Sequence, residues 1–245
     1  MGCISSGVTV KVNKDGSGEI IQTFQIKRDF VGFLSMSEEP TDPNLIDREA
    51  LELTAQAMGE GVSLSKVEPM PDNSPYAGYI AYFKFKDIST IKVSASPSTS
   101  PEAVSEDNND WVSFKFDKGT TSKLTMYLSG MTDDDTNESS DSEDGDEMEA
   151  SADEGLGDQL KDIYKDMHYW MTFEFNGKIT DTNASFVEGS KVTIFDMNFE
   201  KIVENDELFK KVTNDDPGSM KEYKDELATA GVFIDDQEEI IVSFK

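Results

Sequence analysis

Residues 8–26 read VTVKVNKDGSGEIIQTFQI, and this stretch decides how the rest of the chain is interpreted. Apolar residues alternate with polar ones at Val8, Val10 and Val12, and again from Ile20 to Phe24 and Ile26. Strict alternation of this kind is typical of a strand with one buried face. The intervening residues 13–17 are turn formers, and Gly16 suits a positive φ. The stretch therefore predicts a β-hairpin.

Further strands are predicted along the whole length of the chain from the same alternation. They lie at residues 79–85, 111–116, 123–128, 169–175, 191–202 and 239–244. Most have one apolar and one polar face, as Val112 and Phe114 do against Ser113 and Lys115. Half-buried strands in hairpin succession indicate an antiparallel sheet and not βαβ units.

Four helices are predicted between the strands. Asp42 and Pro43 are expected to cap a first helix that ends at Gly59, and Ser219 with Glu222 forms a capping box for a last helix that ends at Gly231. The other two are a stretch at 156–167 and a short one at 206–212, and the first helix has its apolar residues at Ile46, Ala50, Leu53 and Ala57. The predicted fold is α+β: an antiparallel β-sheet built from hairpins, with about four helices packed mainly on one face and a long acidic insertion.

The chain is strongly acidic. It has 22 basic and 50 acidic residues and a formal net charge of −28, so nucleic acid is excluded as an expected partner. Twelve of the acidic residues lie at 133–154, where there is no Lys or Arg. Residues 132–155 are therefore predicted to form a disordered loop. With Gly145 as position 6 of an EF-hand loop, Ser140 and Ser142 stand where Asp or Asn is required, so no calcium site is predicted.

The domain organisation follows from this loop. We expect a terminal segment at 1–7 and one α+β domain at 8–245, interrupted by the loop at 132–155. Two subdomains at 8–131 and 156–245 are the alternative. No apolar run reaches the roughly 18 residues that a membrane-spanning helix needs.

No catalytic, metal-binding or cofactor-binding residues are predicted. The single histidine, His168, is interpreted as structural, and no G-x-S-x-G, P-loop or G-x-G-x-x-G motif occurs. Zinc would need further His or Cys ligands, and Cys3 is the only cysteine. Ligand-binding residues stay unassigned. Seven aromatic residues either line a groove for lipid or glycan or simply pack in the core: Tyr76, Tyr79, Tyr82, Trp111, Tyr127, Tyr169 and Trp170.

Cys3 is predicted to be the attachment site of a lipid. It follows Gly2 as in the signal-peptidase site of bacterial lipoproteins, where the cysteine carries a thioether-linked diacylglycerol. Alternatively, Gly2 and Ser6 fit the myristoylation pattern, and Cys3 adds a palmitoyl group. Either route gives two chains and stable anchoring. The few residues between Cys3 and Val8 then form a short tether that holds the opening hairpin near the membrane.

The segments quoted so far also resemble a known family. The hairpin after Cys3, with its Asp15-Gly16-Ser17-Gly18 turn, is similar to the start of uncharacterised bacterial surface lipoproteins. The segments 55–64 and 78–88 resemble the next part of that pattern, and the segments 171–184 and 187–193 resemble the C-terminal strands of the mycobacterial LppM-like lipoprotein domain. The resemblance implies lipoprotein export, an α+β ectodomain and contact with envelope lipids or glycolipids, and it favours the bacterial anchor.

The predicted function is a non-enzymatic binding or assembly role in a lipid-anchored ectodomain of the bacterial cell envelope. The domain would face the periplasm or exterior, with membrane lipid as one partner and an envelope lipid, glycan or protein as another. A hydrolase that uses two converging carboxylates with raised pKa values is one alternative. A eukaryotic membrane adaptor with myristoyl and palmitoyl chains is the other.

Overall fold

The structure is a computed structural model that describes residues 4–34, 42–94, 111–128, 161, 164–214 and 223–245. Its strands are β1 Ile4–Val12, β2 Gly18–Lys27, β3 Ser63–Pro69, β4 Tyr76–Phe85, β5 Lys92–Ser94, β6 Trp111–Asp117, β7 Ser122–Tyr127, β8 His168–Phe175, β9 Ile179–Thr182, β10 Val187–Glu188, β11 Lys191–Asn198, β12 Phe233–Ile234 and β13 Glu239–Phe244. The helices in these ranges are α1 Arg28–Leu34, α2 Arg48–Met58, α3 Phe199–Val203, α4 Asp206–Asn214 and α5 Lys224–Thr229, with a 3-10 turn at Ile88–Thr90.

The strands form two sheets. The large sheet has the order β10-β11-β8-β1-β2-β4-β3, and β12 pairs with β11 at one end. The small sheet has the order β5-β6-β7-β13-β9, and all its pairings are antiparallel. In the large sheet β1 is antiparallel to β2 but parallel to β8, with Val8 opposite Met171. The prediction of a purely antiparallel sheet is therefore wrong for this sheet, which is mixed.

The main core lies between the two sheets. One buried cluster joins Val8 and Phe83 of the large sheet to Leu124 and Val242 of the small sheet. The ring of Phe173 on β8 lies 5.7 Å from that of Phe114 on β6, and Phe175 lies 4.8 Å from Phe244 on β13. We call the side of the large sheet that faces this core the inner face, and the opposite side the outer face.

The predicted α+β class is wrong, because the chain is mostly β and its helices are mostly short. The inner face of the large sheet is covered chiefly by the small sheet and not by about four helices. The alternation of apolar residues indicates that each strand has one buried face, but it does not indicate which element covers that face. The strands that the sequence predicts for a single sheet belong to two sheets.

The opening hairpin is confirmed. Residues 13–17 connect β1 and β2, and Gly16 has φ 90°. A Cβ atom at Gly16 would lie 2.8 Å from the ring of Phe116 on β6, so the turn rests directly on the small sheet. Ser122 Oγ donates a hydrogen bond of 2.8 Å to the Lys14 carbonyl, and the Ile88 amide donates one of 2.9 Å to the Gly16 carbonyl.

The first predicted helix is displaced by several residues. Asp47, and not Asp42, caps α2, because its side chain accepts a hydrogen bond of 2.9 Å from the Ala50 amide. The helix ends before Gly59 as predicted. Its buried residues include Leu51 and exclude the predicted Leu53, which is 45% exposed. The predicted start is five residues too early, and of the predicted apolar stripe Ala50 is buried whereas Leu53 is exposed.

The other helices lie near the end of β11. The predicted strand at 191–202 ends at Asn198, whose side chain accepts a hydrogen bond from the Glu200 amide and so caps α3. α4 confirms the short helix predicted at 206–212. α5 ends before Gly231, which has φ 80°, also as predicted. These three helices form their own apolar cluster around Phe199, Leu208, Phe209 and Leu227.

Most predicted strands are confirmed: β4, β6, β7, β8 and β13 occupy the expected residues to within a few positions. The sequence patterns missed α1 and the strands β3, β5, β9, β10 and β12. Four of these five strands lie at the margins of the sheets, where β3 is largely exposed and so lacks a clear apolar alternation.

Several predictions fall outside the described residues: the acidic loop at 132–155, most of the helix at 156–167, the capping box at Ser219 and Glu222, and the lipid site at Cys3. Strands from both sides of residues 129–160 occur in both sheets, since β1 pairs with β8 and β7 with β13. In the part of the chain that is described, no helix is long and apolar enough to span a bilayer.

Candidate functional site

The outer face of the large sheet is a grid of side chains from β8, β1, β2 and β4. Residues opposite one another on neighbouring strands define its rows. From the Ile4 end of β1 to its Val12 end, the four rows are His168-Ser5-Gln25-Gly78, Trp170-Gly7-Thr23-Ile80, Thr172-Thr9-Ile21-Tyr82 and Glu174-Lys11-Glu19-Lys84. The two middle rows are apolar, aromatic and hydroxyl-bearing, and the last row is charged.

Apolar side chains at the centre of the outer face are left out of the core. None of the three buried clusters, in the ranges that the structure describes, contains Ile21, Ile80, Tyr82 or Trp170. The helices contribute to these clusters through inner-face neighbours; Phe30 of α1, for example, packs with Ile26 and Ala77. These four side chains are half-buried, so the outer face presents partly exposed apolar surface outside the three clusters.

Trp170 lies across the backbone of Gly7. A Cβ atom at Gly7 would come within 2.2 Å of the Trp170 indole, which occupies the space that any larger residue on β1 would need. The His168 ring lies beside the indole, with 4.8 Å between the ring centroids. Because Gly7 has no side chain, the indole packs directly against the backbone of β1.

His168 is bonded to Asp196 on the neighbouring strand β11. Its Nε2 lies 2.7 Å from Asp196 Oδ1 and donates to that oxygen, since an ionised carboxylate only accepts. The hydrogen bond from His168 holds the pKa of Asp196 below its usual value of 3.8, against the opposing effect of partial burial. The hydrogen bond joins β8 to β11 next to Trp170.

Tyr82 lies on β4, at the opposite side of the grid from Trp170, and hydrogen bonding fixes its side chain. Its hydroxyl donates a hydrogen bond of 2.6 Å to Glu68 on β3, and this bond raises the pKa of the phenol. Lys66 also bonds to Glu68, and its Nζ lies 5.6 Å from the centre of the Tyr82 ring. Hydrogen bonds from Lys66 and Tyr82 lower the pKa of the Glu68 carboxyl.

A pocket of about 610 Å³ opens at the charged end of the outer face. It lies between the β1–β2 turn, the α2–β3 connection and the end of β4. Its charged lining residues are Lys11, Lys84, Lys86 and Glu19. The rest of the lining is Asn13, Ser17, Gly18, Gly61, Ser63 and Phe85. We call this site the lysine pocket.

The aromatic residues singled out in the sequence do not form one groove. Tyr79 is buried in the core at 2% exposure, and burial raises its pKa to about 12. Tyr169 and Trp111 are half-buried and pack against the buried clusters. Tyr82 and Trp170 lie on the outer face. The core-packing interpretation therefore holds for Tyr79, Tyr169 and Trp111, and a groove for lipid or glycan stays a prediction.

The sequence analysis assigned no residue of the lysine pocket to a binding site. Lys11 lies 73 residues before Lys84, and each of the three lysines is the ordinary polar partner of an apolar residue on a strand or at its end. The one available signal was that Lys11 and Lys84 occupy outward positions near the ends of their strands. Only the pairing of β1 and β4 with β2 brings them together.

The described residues show no cluster of three or more His, Cys, Asp or Glu side chains that could hold a metal ion. The carboxyls of those residues whose pKa is shifted are all shifted downward: Asp15, Glu68, Asp196, Asp206 and Asp236. A carboxylate general acid would need the opposite shift.

Comparison with known proteins gives a weak resemblance. No protein-family model and no curated protein matches the chain. Among solved structures, the NMR structure of the folded domain of LppM from Mycobacterium tuberculosis aligns with a TM-score of 0.31 and 16% identity. The alignment covers 80% of this chain and 83% of that one. The chain thus has a weak structural resemblance to the LppM domain, and membership of a lipoprotein family is not shown.

Proposed function

We propose that the chain is a non-enzymatic binding domain of the bacterial cell envelope. A lipid on Cys3 would hold it at a membrane surface, facing the periplasm or exterior, and the outer face of the large sheet would receive its ligand. The observation that carries the binding role is the partly exposed apolar centre of this face, where Trp170, Ile21, Ile80 and Tyr82 lie outside every described cluster. Apolar patches rimmed by polar residues commonly mark interaction sites.

The position of β1 determines how a lipid on Cys3 would hold the domain. The strand begins at Ile4, directly after Cys3, so residues 4–7 belong to the sheet and do not form the tether expected from the sequence. A lipid on Cys3 would be joined to a central strand of the large sheet. The outer face would then stand at a fixed height above the membrane, with the turn at 13–17 at its far end.

The hydrolase alternative receives no support from the site. It required two converging carboxyls with raised pKa values, whereas the shifted carboxyls of the described residues have lowered values. His168 is bonded to Asp196, and neither residue lines the lysine pocket. We therefore favour binding over catalysis.

The anchor is tested by labelling with radioactive palmitate in a bacterial host that expresses the natural coding sequence. We expect a label that resists neutral hydroxylamine, because the acyl chains of the diacylglycerol are oxygen esters and the N-terminal chain is an amide, whereas the thioester of a palmitoyl-cysteine is cleaved. Cys3→Ser should abolish the label. Gly2→Ala should retain it, because alanine is also small, whereas myristoylation needs the glycine. Equal labelling of Cys3→Ser would overturn the bacterial anchor.

The binding face is tested by a photo-crosslinking amino acid placed at Thr23, in the second row of the grid. The matched control is Ser113, an exposed strand residue whose side chain lies on the far side of the small sheet. Irradiation of intact envelopes should give an adduct at position 23, identified by mass spectrometry, and none at position 113. Equal adducts at both positions, or none at either, would contradict a ligand-binding outer face.

A further inference from the structure

The lysine pocket gathers positive charge on a strongly acidic chain. It holds three lysines and one glutamate, although the net charge of the whole chain is −28. Lys84 and Lys86 form no ion pair with any described residue. Lys11 lies 4.0 Å from Glu174, and both side chains are about half exposed. The lining of the pocket therefore carries more ammonium groups than carboxylates, with Glu174 adding one carboxylate beside Lys11.

The pairing of the strands builds the pocket before any ligand arrives. Lys11 and Lys84 flank Glu19 on either side, each directly opposite it on a neighbouring strand. Their backbones are therefore about 10 Å apart, at two strand spacings. Ser63 is opposite Lys84 on β3 and adds an exposed hydroxyl. Such a fixed frame saves the ordering cost that a flexible site pays on binding.

We infer that the lysine pocket binds a small, multiply charged anion of the phosphomonoester or pyrophosphate class from solution. Lysine ammonium groups act as point charges and suit phosphate oxygens, whereas planar carboxylates are better matched by the fork of arginine, which this pocket lacks. The volume of about 610 Å³ is in the range of small-molecule sites. The inference deepens the proposed binding role by naming a ligand class for one end of the same face.

The location of the pocket favours a soluble ligand over a lipid headgroup. Ile4 and Lys11 are about 23 Å apart along β1, at about 3.3 Å per residue. If Cys3 holds the chain at the membrane, the pocket stands at the far end of the strand from the lipid. Phosphate groups of that membrane would lie out of its reach.

The test uses the full chain with Cys3→Ser, which prevents lipidation, and inorganic pyrophosphate as the probe in calorimetric titrations. We expect binding that weakens with added salt. Lys84→Gln combined with Lys86→Gln should weaken it at least about tenfold, since each charged hydrogen bond contributes that order of affinity. The matched control is Lys123→Gln with Lys210→Gln, which removes the same charge from exposed positions outside the pocket and should bind like the parent chain.

A second variant tests whether binding depends on the shape of the pocket and not only on its charge. Ser63→Phe keeps all three lysines and fits an exposed strand, but its ring narrows the pocket and should abolish binding. Binding that is equal in the pocket and control variants, or absent in the parent chain, would overturn the inference. So would binding to vesicles containing anionic lipid that depends on Lys84 and Lys86 without any binding of pyrophosphate. None of these results affects palmitate labelling of Cys3 or crosslinking at Thr23, so the two proposals fail independently.

Discussion

Gly7 shows at the scale of one residue how the outer face is built. The Trp170 indole takes the space above it, and a Cβ atom there would lie 2.2 Å from the ring. Glycine elsewhere in a strand weakens it, so its presence in a central strand marks a close approach. Glycine is thus required at position 7 because Trp170 on β8 packs against it, and not because the backbone turns there.

Gly7→Ala should displace the indole and lower the free energy of unfolding by about 1–3 kcal/mol, the usual cost of overpacking. The chain has two tryptophans, so Trp111→Phe leaves Trp170 as the sole reporter. We expect a red shift in its emission and a lower midpoint in urea. Ser5→Ala, on the same strand and face, is the control. Identical emission and stability in the two variants would refute the contact.

Asp196 gives a prediction of pH dependence. Its pKa is lowered in the folded chain by the hydrogen bond from His168, so its contribution to stability is present above about pH 4. The contribution is lost as the pH falls through the lowered pKa. Asp196→Asn should cost about 1 kcal/mol at pH 5 and above, because the side chains are partly exposed and the bond is screened.

The measurement is urea unfolding of both proteins between pH 2 and pH 7. The difference between wild type and Asp196→Asn should shrink toward the acid end of the series. A difference that is constant, or that grows as the pH falls, would show that the hydrogen bond from His168 does not lower the pKa of Asp196.

At the scale of elements, α2 shows how a capping residue marks the start of a helix. Asp42 and Asp47 both precede apolar residues, and both accept hydrogen bonds from backbone amides nearby. Only Asp47 has a helix following it. The helix therefore begins at Arg48, and it buries Ala50, Leu51, Ala55 and Met58.

The two leucines of α2 test this face directly. Leu51 is 3% exposed and Leu53 is 45% exposed. Leu51→Ala should lower the free energy of unfolding by about 2–5 kcal/mol, as for other buried leucines. Leu53→Ala should change it by no more than about 0.5 kcal/mol. Thermal or urea unfolding measures both. Equal losses would mean that the helix buries a different face.

At the scale of the whole molecule, the two sheets join distant parts of the chain. β1 pairs with β8, and β7 pairs with β13, across residues 129–160. The core between the sheets likewise contains Val10 and Phe114 from the first part and Phe173 and Val242 from the second. Each part alone would expose a large share of this apolar surface.

Cleavage within 132–155 should therefore leave the two pieces bound to each other. A protease site introduced there, cut after folding, should give a complex that elutes as one species and unfolds in one transition. Phe173→Ala in the cut protein should weaken the complex, because it opens a cavity in the shared core. Separation of the unmodified pieces without denaturant would instead favour two independent subdomains.

The sequence by itself determined the elements with a strong local signal. The β1–β2 hairpin, most central strands and α4 follow from alternation, turn residues and helical spacing, which neighbouring residues encode. Asn13 to Ser17 also bond within their own turn, where Asp15 Oδ1 accepts hydrogen bonds from the Ser17 amide and hydroxyl. The strongly acidic composition was equally plain from the residues alone.

Only the tertiary structure decided what covers each strand and where the candidate site lies. An apolar face is equally well buried by a helix or by another sheet, so the sequence could not show that β6, β7 and β13 form the second sheet. Trp170 meets Gly7, and Lys11 approaches Lys84, through the pairing of strands that are 70 to 160 residues apart. The pairing partner is selected by the packing of the whole molecule and by no local pattern.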